Sequence, residues 1–421
     1  MELFEGVNIM INKTPQIRFD YFFDCWDKCN LSELMDFSNN IDVPKEEFGE
    51  EKKIISVMDI LSDEPIIYDK VGNSVKIDGL PEAENKVENG DLVFVQSSNV
   101  LNEVGWSKAY LDERYALNSR FSIRGKKKRE FDAYFVELSL NNKNRKQIER
   151  KAVGSTRFNI NQSILSSVII LKPSTLEQDK IGGFFLQIDK TIALHQRELE
   201  NLKKSKRGFL QKMFPKDDEC VPAFRFPGFN DAWEQCKLDS IVERVTRKNK
   251  DIESKRILTI SAQYGLVEQN TFLKNQVESR DISNYYLLKK GEFTFNRSYS
   301  NGNPWGAVKR LERYEMGAVS TMYINFKPTS VDSNFLVSYY ETNQWHKDVS
   351  MRAAEGMRNP GLINISNQDF FNTIVKLPKG IEEQKRIGTF FEKLDDTIAL
   401  HQKQLNILKE VKKAFLQKMF V

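Results

Sequence analysis

Apolar residues recur at alternating steps of four and three along two stretches of the chain, Ile181–Met213 and Ile387–Met419. This spacing is a heptad pattern, which lines up one apolar stripe along a helix that pairs with another helix. Both stretches lack proline and are rich in Leu, Lys, Glu and Gln, which favour helix. We therefore predict two long helices that bury their stripes against each other. The predicted seam residues are Phe185, Ile188, Ile192, His195, Leu199, Leu202 and Phe209 in the first stretch, and Phe391, Leu394, Ile398, His401, Leu405, Leu408 and Phe415 in the second.

The two stretches are also copies of one another. Ile181–Phe214 aligns with Ile387–Phe420 with roughly 21 of 34 positions identical, and both contain the hexapeptide TIALHQ. A weaker match lies upstream, where Pro15–Leu34 aligns with Pro222–Ile241. Between these landmarks the two halves diverge. The chain therefore consists of a variable module followed by a near-constant helix, and then of the same arrangement a second time.

This repeat predicts an α+β fold: a tandem pseudo-two-fold repeat of two globular α/β domains, separated by two long helices that form an antiparallel coiled coil. A two-fold relation would bring His195 and His401 together as a polar layer that fixes the register of the helices. The link between the first helix and the second module is short, at residues 215–221, so Val421 is expected near residues 13–15. The predicted parts are a leader (1–14), the first module (15–176), the first helix (177–214), the linker (215–221), the second module (222–380) and the second helix (381–421).

Composition favours a globular intracellular protein. About 40% of the residues are apolar and 29% are charged, and the longest apolar runs are too short to cross a bilayer. The opening residues MELFEGVN lack the basic start of a signal peptide, so a cytoplasmic location is expected. Four cysteines in a chain of this length suggest free thiols in a reducing compartment. No histidine lies near Cys25 and Cys29, which we predict to be packing residues and not zinc ligands.

The chain lacks the common catalytic motifs, namely a GxxxxGK[ST] phosphate loop, HExxH and GxSxG. Asp78 with Glu84 and Lys86 resembles the Asp…Glu-x-Lys pattern of metal-dependent nucleases, but a chain with this many charges contains such a triple by chance. The second half has Tyr285 and Leu287 at the counterparts of Glu84 and Lys86. The seam histidines are two, whereas zinc takes three or four protein ligands. The sequence thus predicts a binding protein with no catalytic residue, no metal and no cofactor of its own.

Charge is unevenly distributed in the first half. From Asp36 to Asp91 acidic residues exceed basic ones by about nine, and from Arg120 to Arg157 basic residues are in excess by about eight. A basic face of this kind suits phosphate binding. The polar segments 96–99 and 296–303 follow β-rich stretches and offer groups that bond phosphates and base edges, although ordinary turns use the same residues. The candidate DNA-contacting residues are Gln96, Ser97, Ser98, Asn99, Lys126, Lys127, Lys128, Arg145, Lys146, Arg150, Arg157, Arg297, Ser298, Tyr299, Asn301, Lys347, Arg352 and Arg358.

Tandem variable modules that open on RFxxF…W, each closed by a helix with TIALHQ…FLQKMF, resemble the specificity subunit of type I restriction–modification enzymes. The resemblance runs from about Pro15 to Val421. It implies that each module is a target recognition domain that reads one half of a bipartite site in double-stranded DNA. It also implies that the paired helices set the gap between the half-sites.

The same resemblance implies a set of partners. One copy of such a subunit docks two methyltransferase subunits, which use S-adenosylmethionine to methylate adenine, and through them recruits restriction subunits that use ATP and Mg²⁺. The subunit itself has no catalytic role and no membrane partner. Apolar residues beside the stripe, Phe184, Leu194 and Leu210 with their counterparts, would face the methyltransferase subunits. The alternative reading is a scaffold that joins two protein partners through the same helices.

Overall fold

The computed structural model describes residues 14–39, 48–76, 85–216, 218–261, 265–269, 281–298, 304–353 and 363–421. The chain divides into two compact units. Unit 1 comprises Met1–Arg197 and Lys403–Val421, and unit 2 comprises Glu198–Gln402. Each unit therefore holds one variable module together with part of both long helices.

The helices of the described residues vary from one turn to 39 residues. They are α1 (Leu31–Leu34), α2 (Val57–Leu61), α3 (Ala133–Asn141), α4 (Arg145–Lys151), α5 (Gln162–Ser166), α6 (Thr175–Met213), α7 (Ser333–Tyr340), α8 (Gln344–Arg352), α9 (Asn367–Phe371) and α10 (Ile381–Met419). Short 3₁₀ turns span Tyr68–Lys70 and Leu238–Ser240. The two longest helices, α6 and α10, are those that the heptad pattern predicts.

The strands of the same residues are short, and both modules contain many of them. In unit 1 they are β1 (Asp27–Asn30), β2 (Met35–Ser38), β3 (Phe48–Ile55), β4 (Asn73–Val75), β5 (Lys86–Val87), β6 (Leu92–Val95), β7 (Ser97–Ser98), β8 (Ser107–Ala109), β9 (Ala116–Asn118), β10 (Ser122–Lys127), β11 (Phe158–Asn159) and β12 (Ile169–Lys172). In unit 2 they are β13 (Glu234–Lys237), β14 (Val242–Arg244), β15 (Leu258–Ser261), β16 (Gly265–Glu268), β17 (Tyr286–Lys289), β18 (Phe293–Asn296), β19 (Ala307–Arg310), β20 (Met316–Val319), β21 (Ile324–Pro328) and β22 (Ile374–Leu377).

Both modules contain the same central sheet despite their divergent sequences. Its strand order is β2-β10-β6-β8 in unit 1 and β14-β21-β18-β19 in unit 2, with antiparallel neighbours throughout. The pair β1–β12 in unit 1 likewise corresponds to β13–β22 in unit 2. Unit 1 has a further sheet, β4-β3-β9-β5, in which β3 and β9 are parallel. The repeat that is weak in the modules' sequences is therefore clear in their topology.

The core of unit 1 is completed by the last residues of the chain. Trp26 packs edge-on against Phe135, with ring centroids 5.5 Å apart, and Phe420 stacks on Phe135 at 5.2 Å. The backbone N–H of Ile17 donates a hydrogen bond of 3.0 Å to the carbonyl of Lys418, which agrees with the predicted approach of the chain end to residues 13–15.

Unit 2 repeats this core with the end of α6 in place of the end of α10. The Phe214 ring lies 5.8 Å from Trp233 and 5.6 Å from Phe335. The N–H of Phe224 donates to the carbonyl of Lys212 at 2.8 Å. The core of unit 1 thus includes the residues at the C-terminal end of α10, and the core of unit 2 includes those at the C-terminal end of α6.

The long helices pair in antiparallel fashion, as predicted. In unit 1, Phe184 of α6 packs on Phe415 of α10 with ring centroids 5.1 Å apart, and Asp189 pairs with Lys412, Oδ1 to Nζ, at 2.6 Å. The partner number falls as the α6 number rises, which defines an antiparallel pair. In unit 2, Phe209 packs on Phe390, also at 5.1 Å. Among the predicted seam residues Phe185, Ile192, Leu199, Phe391 and Leu405 are buried, and Ile188, His195, Leu202, Phe209, Leu394, Ile398, His401, Leu408 and Phe415 are half-buried.

The start of each long helix is fixed to its own module by a buried ion pair. In unit 1 the Arg18 guanidinium donates to both carboxylate oxygens of Glu177, at 2.6 and 2.7 Å, and Glu177 is almost fully buried. In unit 2 Arg225 makes the same two bonds to Glu383, again at 2.6 and 2.7 Å. A bidentate pair of this kind fixes orientation as well as distance.

A glycine in α6 permits a close approach to α3, because Gly182 lies against Asp132, whose carboxylate caps α3 by accepting from the N–H of Phe135 at 2.6 Å. A β-carbon at Gly182 would overlap the Asp132 Oδ1 atom, whereas one at Gly183 would meet nothing within 4 Å. We expect Gly182→Ala to lower the free energy of unfolding by about 1–3 kcal/mol through this overlap. Gly183→Ala is the matched control and should raise it by about 0.5–1 kcal/mol, since alanine favours helix. Denaturant titration of both variants measures the two effects, and equal values would contradict the close approach.

Two sequence predictions are tested by burial. All four cysteines are free thiols, and Cys29 is buried as predicted. Cys25 is exposed, so its prediction as a packing residue is wrong: the two residues lie on either side of the buried Trp26, and only Cys29 points into the module in strand β1.

Among the residues that the structure describes, no helix combines the length and apolar character that a membrane-spanning segment requires.

Candidate nucleic-acid interface

The segment 96–99 in unit 1 follows the fully buried strand β6. The N–H of Gln96 donates to the carbonyl of Phe121 at 2.7 Å, and the carbonyl of Gln96 accepts from the N–H of Ile160 at 3.0 Å. Strand β7, which begins at Ser97, then pairs with β11. The polar segment is therefore fixed against two other parts of the module, and Asn99 at its end is exposed.

Ser97 and Arg157, both candidates from sequence, lie in contact. The Arg157 Nε donates to Ser97 Oγ at 2.6 Å. The Arg157 guanidinium carbon also lies 5.0 Å from the centroid of the Phe121 ring, and that of Arg120 lies 5.2 Å from the same ring. Such distances are those of cation–π contacts. Arg120 and Phe121 are not among the candidates predicted from sequence.

Ser98 is engaged within its own loop. Its hydroxyl donates to Glu103 Oε2 at 2.5 Å and accepts from the N–H of Val100 at 3.1 Å. These bonds are the turn chemistry that the sequence left as the alternative for this segment.

The three lysines of the basic run lie at the end of β10 and just beyond it. Lys126 is exposed. Lys127 pairs with Glu130 at 2.9 Å, and Lys128 pairs with Asp36 at 3.0 Å. Surface pairs of this kind contribute only about 0–1 kcal/mol, so a phosphate can compete for either lysine.

Of the candidate residues on helix α4, two are exposed and one is buried. Lys146 and Arg150 are exposed. Arg145 is only 8% exposed, and its guanidinium donates to the carbonyl of Val104 and pairs with Glu149 at 3.2 Å. Burial lowers the pKa of the Arg145 guanidinium below its ordinary value. We therefore remove Arg145 from the candidate DNA contacts, because its side chain is committed to holding the Val104 loop.

The second module places Arg297 differently from the sequence prediction. Its Nε donates to the carbonyl of Met322 at 3.0 Å, and its Nη1 donates to the carbonyl of Ile365 at 2.9 Å. Burial lowers the pKa of this half-buried guanidinium. Arg297 is thus a positioning residue for the turn at Met322, which the sequence could not show because Met322 and Ile365 are distant along the chain.

The structure describes only some of the other candidate residues of the second module. Ser298 is half-buried, and its N–H donates to Asn296 Oδ1 at 2.9 Å. Lys347 is exposed on α8, and Arg352 of the same helix pairs with Asp348 at 3.2 Å. The remaining candidates, Tyr299, Asn301 and Arg358, lie outside the described residues. Asp78 and Glu84 of the nuclease-like triple also lie outside them.

The polar positions of the long helices form ion pairs within each unit. In unit 2, Lys206 of α6 pairs with Asp395 of α10 and with Glu341 at the end of α7. Although burial disfavours the charged amine, these two carboxylates raise the pKa of Lys206 above its ordinary value. His401 Nδ1 lies 3.5 Å from Glu198 Oε2. The carboxylate at Asp395 was missed at the sequence level, because the partner of a seam lysine depends on the register of the two helices.

The apolar residues predicted beside the stripe divide into two groups. Phe184 packs on Phe19 and Phe415 in unit 1, and Leu210 packs against the core of unit 2. The equivalent leucines of the two TIALHQ copies remain exposed, Leu194 by 56% in unit 1 and Leu400 by 54% in unit 2.

Two modules of one topology, each fixed to a pair of antiparallel helices, define a class of tandem-repeat protein. Comparison with known proteins identifies the family. The family model of the type I restriction modification DNA specificity domain matches the chain twice, over residues 24–204 and 230–410. The chain belongs to this family.

Two relatives illustrate the similarity. The type I restriction enzyme MjaVIII specificity subunit of Methanocaldococcus jannaschii is 21% identical over 362 residues, which cover 80% of this chain and 82% of that protein. The crystal structure of the type I restriction–modification system S subunit from M. genitalium aligns with a TM-score of 0.62 at 15% identity, over 97% of this chain and 99% of that one. The predicted fold class is confirmed by this likeness.

Proposed function

We propose that this chain is the DNA sequence-specificity subunit of a type I restriction–modification enzyme and that it recognises a bipartite site, one half-site through each module. The observation that carries the proposal is the family's domain occurring twice, in modules that share a central sheet but diverge in sequence. Two modules of different sequence, joined by one pair of helices, suit a DNA site whose two halves differ in sequence. The exposed cations of the first module supply the phosphate contacts that position a protein on DNA.

The chain docks methyltransferase subunits in this proposal and performs no catalysis itself. S-adenosylmethionine belongs to those subunits, and ATP and Mg²⁺ belong to the restriction subunits that they recruit. We assign the docking role to Leu194 and Leu400, because the same repeat position holds a leucine that is more than half exposed in both units. One chain with two such leucines suits two copies of one partner.

Methylation mapping tests the proposal directly. DNA from cells with the intact gene is compared with DNA from the same cells after deletion of this chain, and N6-methyladenine is located in both. We expect methylated adenines in a two-part sequence with a fixed gap, and we expect their loss on deletion. An unchanged methylation pattern would exclude the function.

The basic run predicts a change in affinity without a change in sequence preference. Replacing Lys126, Lys127 and Lys128 together by Ala should weaken DNA binding by at least about tenfold at moderate salt and lower the salt slope by up to about three, because each phosphate contact releases counterions. Titration of the assembled complex with duplex DNA at several salt concentrations measures both. Lys70→Ala is the control, since Lys70 is an exposed lysine paired with Glu64 in the acidic segment. A change in the preferred sequence would show that the run reads bases.

A further inference from the structure

Each module presents a large, exposed apolar side chain at the same place in its fold. Phe121 in unit 1 is 41% exposed and Met322 in unit 2 is 44% exposed. Both lie in a tight turn, closed by a bond from Ser122 N–H to the Ser119 carbonyl at 3.3 Å and from Tyr323 N–H to the Ser320 carbonyl at 3.0 Å. The turns lead into β10 and β21, which are equivalent strands of the central sheets. The match is one of position, since the side chains differ.

The backbone of each turn is held by an equivalent residue through a different donor. In unit 1 the Gln96 main-chain N–H bonds the carbonyl of Phe121 at 2.7 Å, and in unit 2 the Arg297 Nε bonds the carbonyl of Met322 at 3.0 Å. Gln96 and Arg297 occupy the same position in the repeat, just after β6 and β18. The two modules therefore fix the same turn, one with a main-chain donor and the other with a side-chain donor. Packing within the core does not require this, because the side chain at the tip points outward.

The charged groups around Phe121 indicate which class of macromolecule binds there. Two guanidinium groups, of Arg120 and Arg157, lie about its ring at 5.2 and 5.0 Å, and both side chains are exposed. An apolar face of a partner protein would desolvate these charges, which is unfavourable. DNA satisfies both features at once, because phosphates bind the guanidinium groups and base edges offer apolar contact, above all the C5-methyl of thymine in the major groove.

The tip is also rigid enough to discriminate. Ser122 is fully buried and its hydroxyl donates to Asn118 Oδ1 at 2.6 Å, which fixes the C-terminal side of the turn. The bond from Arg157 to Ser97, at 2.6 Å, fixes the cation beside the ring. A contact held in place in this way before binding loses little entropy when DNA arrives.

We propose that Phe121 and Met322 are specificity-determining residues, each of which makes an apolar contact with the thymine methyl group at one base pair of the half-site read by its own module. Arg120 and Arg157 contact phosphates beside the first of these base pairs. Arg297 holds the Met322 turn in place. The inference rests on the proposed function and extends it to the residues that read the bases.

Selection from a random duplex library tests the inference. Three proteins are compared: the wild type, Phe121→Ala and Met322→Ala. Each full chain is purified with the methyltransferase subunits that accompany it and is used to select DNA from the library. Phe121→Ala should relax the preference at one base pair of one half-site, and Met322→Ala should relax it at one base pair of the other. Affinity for the wild-type sequence should fall about 5- to 100-fold in each case. Met58→Ala, an exposed methionine elsewhere in unit 1, is the control and should change neither quantity.

Deoxyuridine in place of the selected thymine removes only the methyl group and identifies the contact. The wild type should bind this duplex more weakly, and Phe121→Ala should show no further loss. An equal loss in both proteins, or a variant that binds all sequences uniformly less well, overturns the inference. If the wild type selects no sequence, the proposed function itself fails. If the wild type selects a two-part sequence and both variants select it with unchanged affinity, only the present inference fails.

Discussion

The Phe420→Ala substitution is expected to lower the free energy of unfolding of unit 1 by about 3–5 kcal/mol, the usual range for a buried phenylalanine. Phe420 is the penultimate residue of the chain, where truncation is ordinarily tolerated. Here its ring stacks on Phe135 at 5.2 Å and lies 6.0 Å from Phe185 and 6.2 Å from Trp26. Its removal leaves a cavity that three fixed aromatic rings are unable to fill.

Phe214→Ala is the matched variant for unit 2, because Phe214 occupies the equivalent place at the end of α6. Hydrogen exchange separates the two effects. Phe420→Ala should accelerate exchange in the β1–β12 pair, and Phe214→Ala should accelerate it in the β13–β22 pair. Phe23→Ala, at an almost fully exposed position of unit 1, should change stability by less than about 0.5 kcal/mol. A Phe420 variant as stable as the Phe23 variant would contradict the closure of the core by the chain end.

Sequence alone predicted the long helices and their seam because the heptad pattern occurs twice. A near-identical copy 206 residues away separates positions that a helix needs from those that vary freely, as the shared TIALHQ shows. The sequence did not show which residues of the two helices form ion pairs with each other. Asp189 and Lys412 form an ion pair in unit 1, yet 189 and 412 become neighbours only once the antiparallel register is known. The compact units also divide both helices, whereas the sequence was divided at the helix ends.

The structure revises the set of candidate interface residues, for physical reasons that differ by residue. Arg145 counted as a surface cation, but a long side chain is buried when a carbonyl such as that of Val104 lies within its reach. The conformation of the loop decides whether such a side chain is buried, and the local sequence does not reveal that conformation. Phe121 is not among the residues predicted from sequence, because a phenylalanine beside a strand is more often buried than exposed. Exposure of such a residue is apparent only once the turn at Ser119 is built.

The largest effect expected of a single charge is at Leu405. Leu405 lies in the part of α10 that belongs to unit 1 and is only 5% exposed. Leu405→Asp would bury an unpaired carboxylate, which costs several kcal/mol or forces the group to bind a proton. We expect the variant to unfold at a much lower denaturant concentration than the wild type at neutral pH. The difference in stability between the two proteins should shrink as the pH falls towards 4, because the buried carboxylate then binds a proton. Leu199→Asp, also 5% exposed, should have the same effect in unit 2.

Leu400→Asp separates stability from assembly, because Leu400 lies five residues from Leu405 on the same helix and is 54% exposed. Its free energy of unfolding should stay within about 0.5 kcal/mol of the wild type. In our proposal Leu400 contacts a methyltransferase subunit, so this variant should still fold but should retain one bound subunit instead of two in co-purification. Leu194→Asp in unit 1 should do the same, and the double variant should retain none. If the double variant still bound both subunits, the exposed leucines would not be the docking surface, and the partner would have to reach the chain elsewhere.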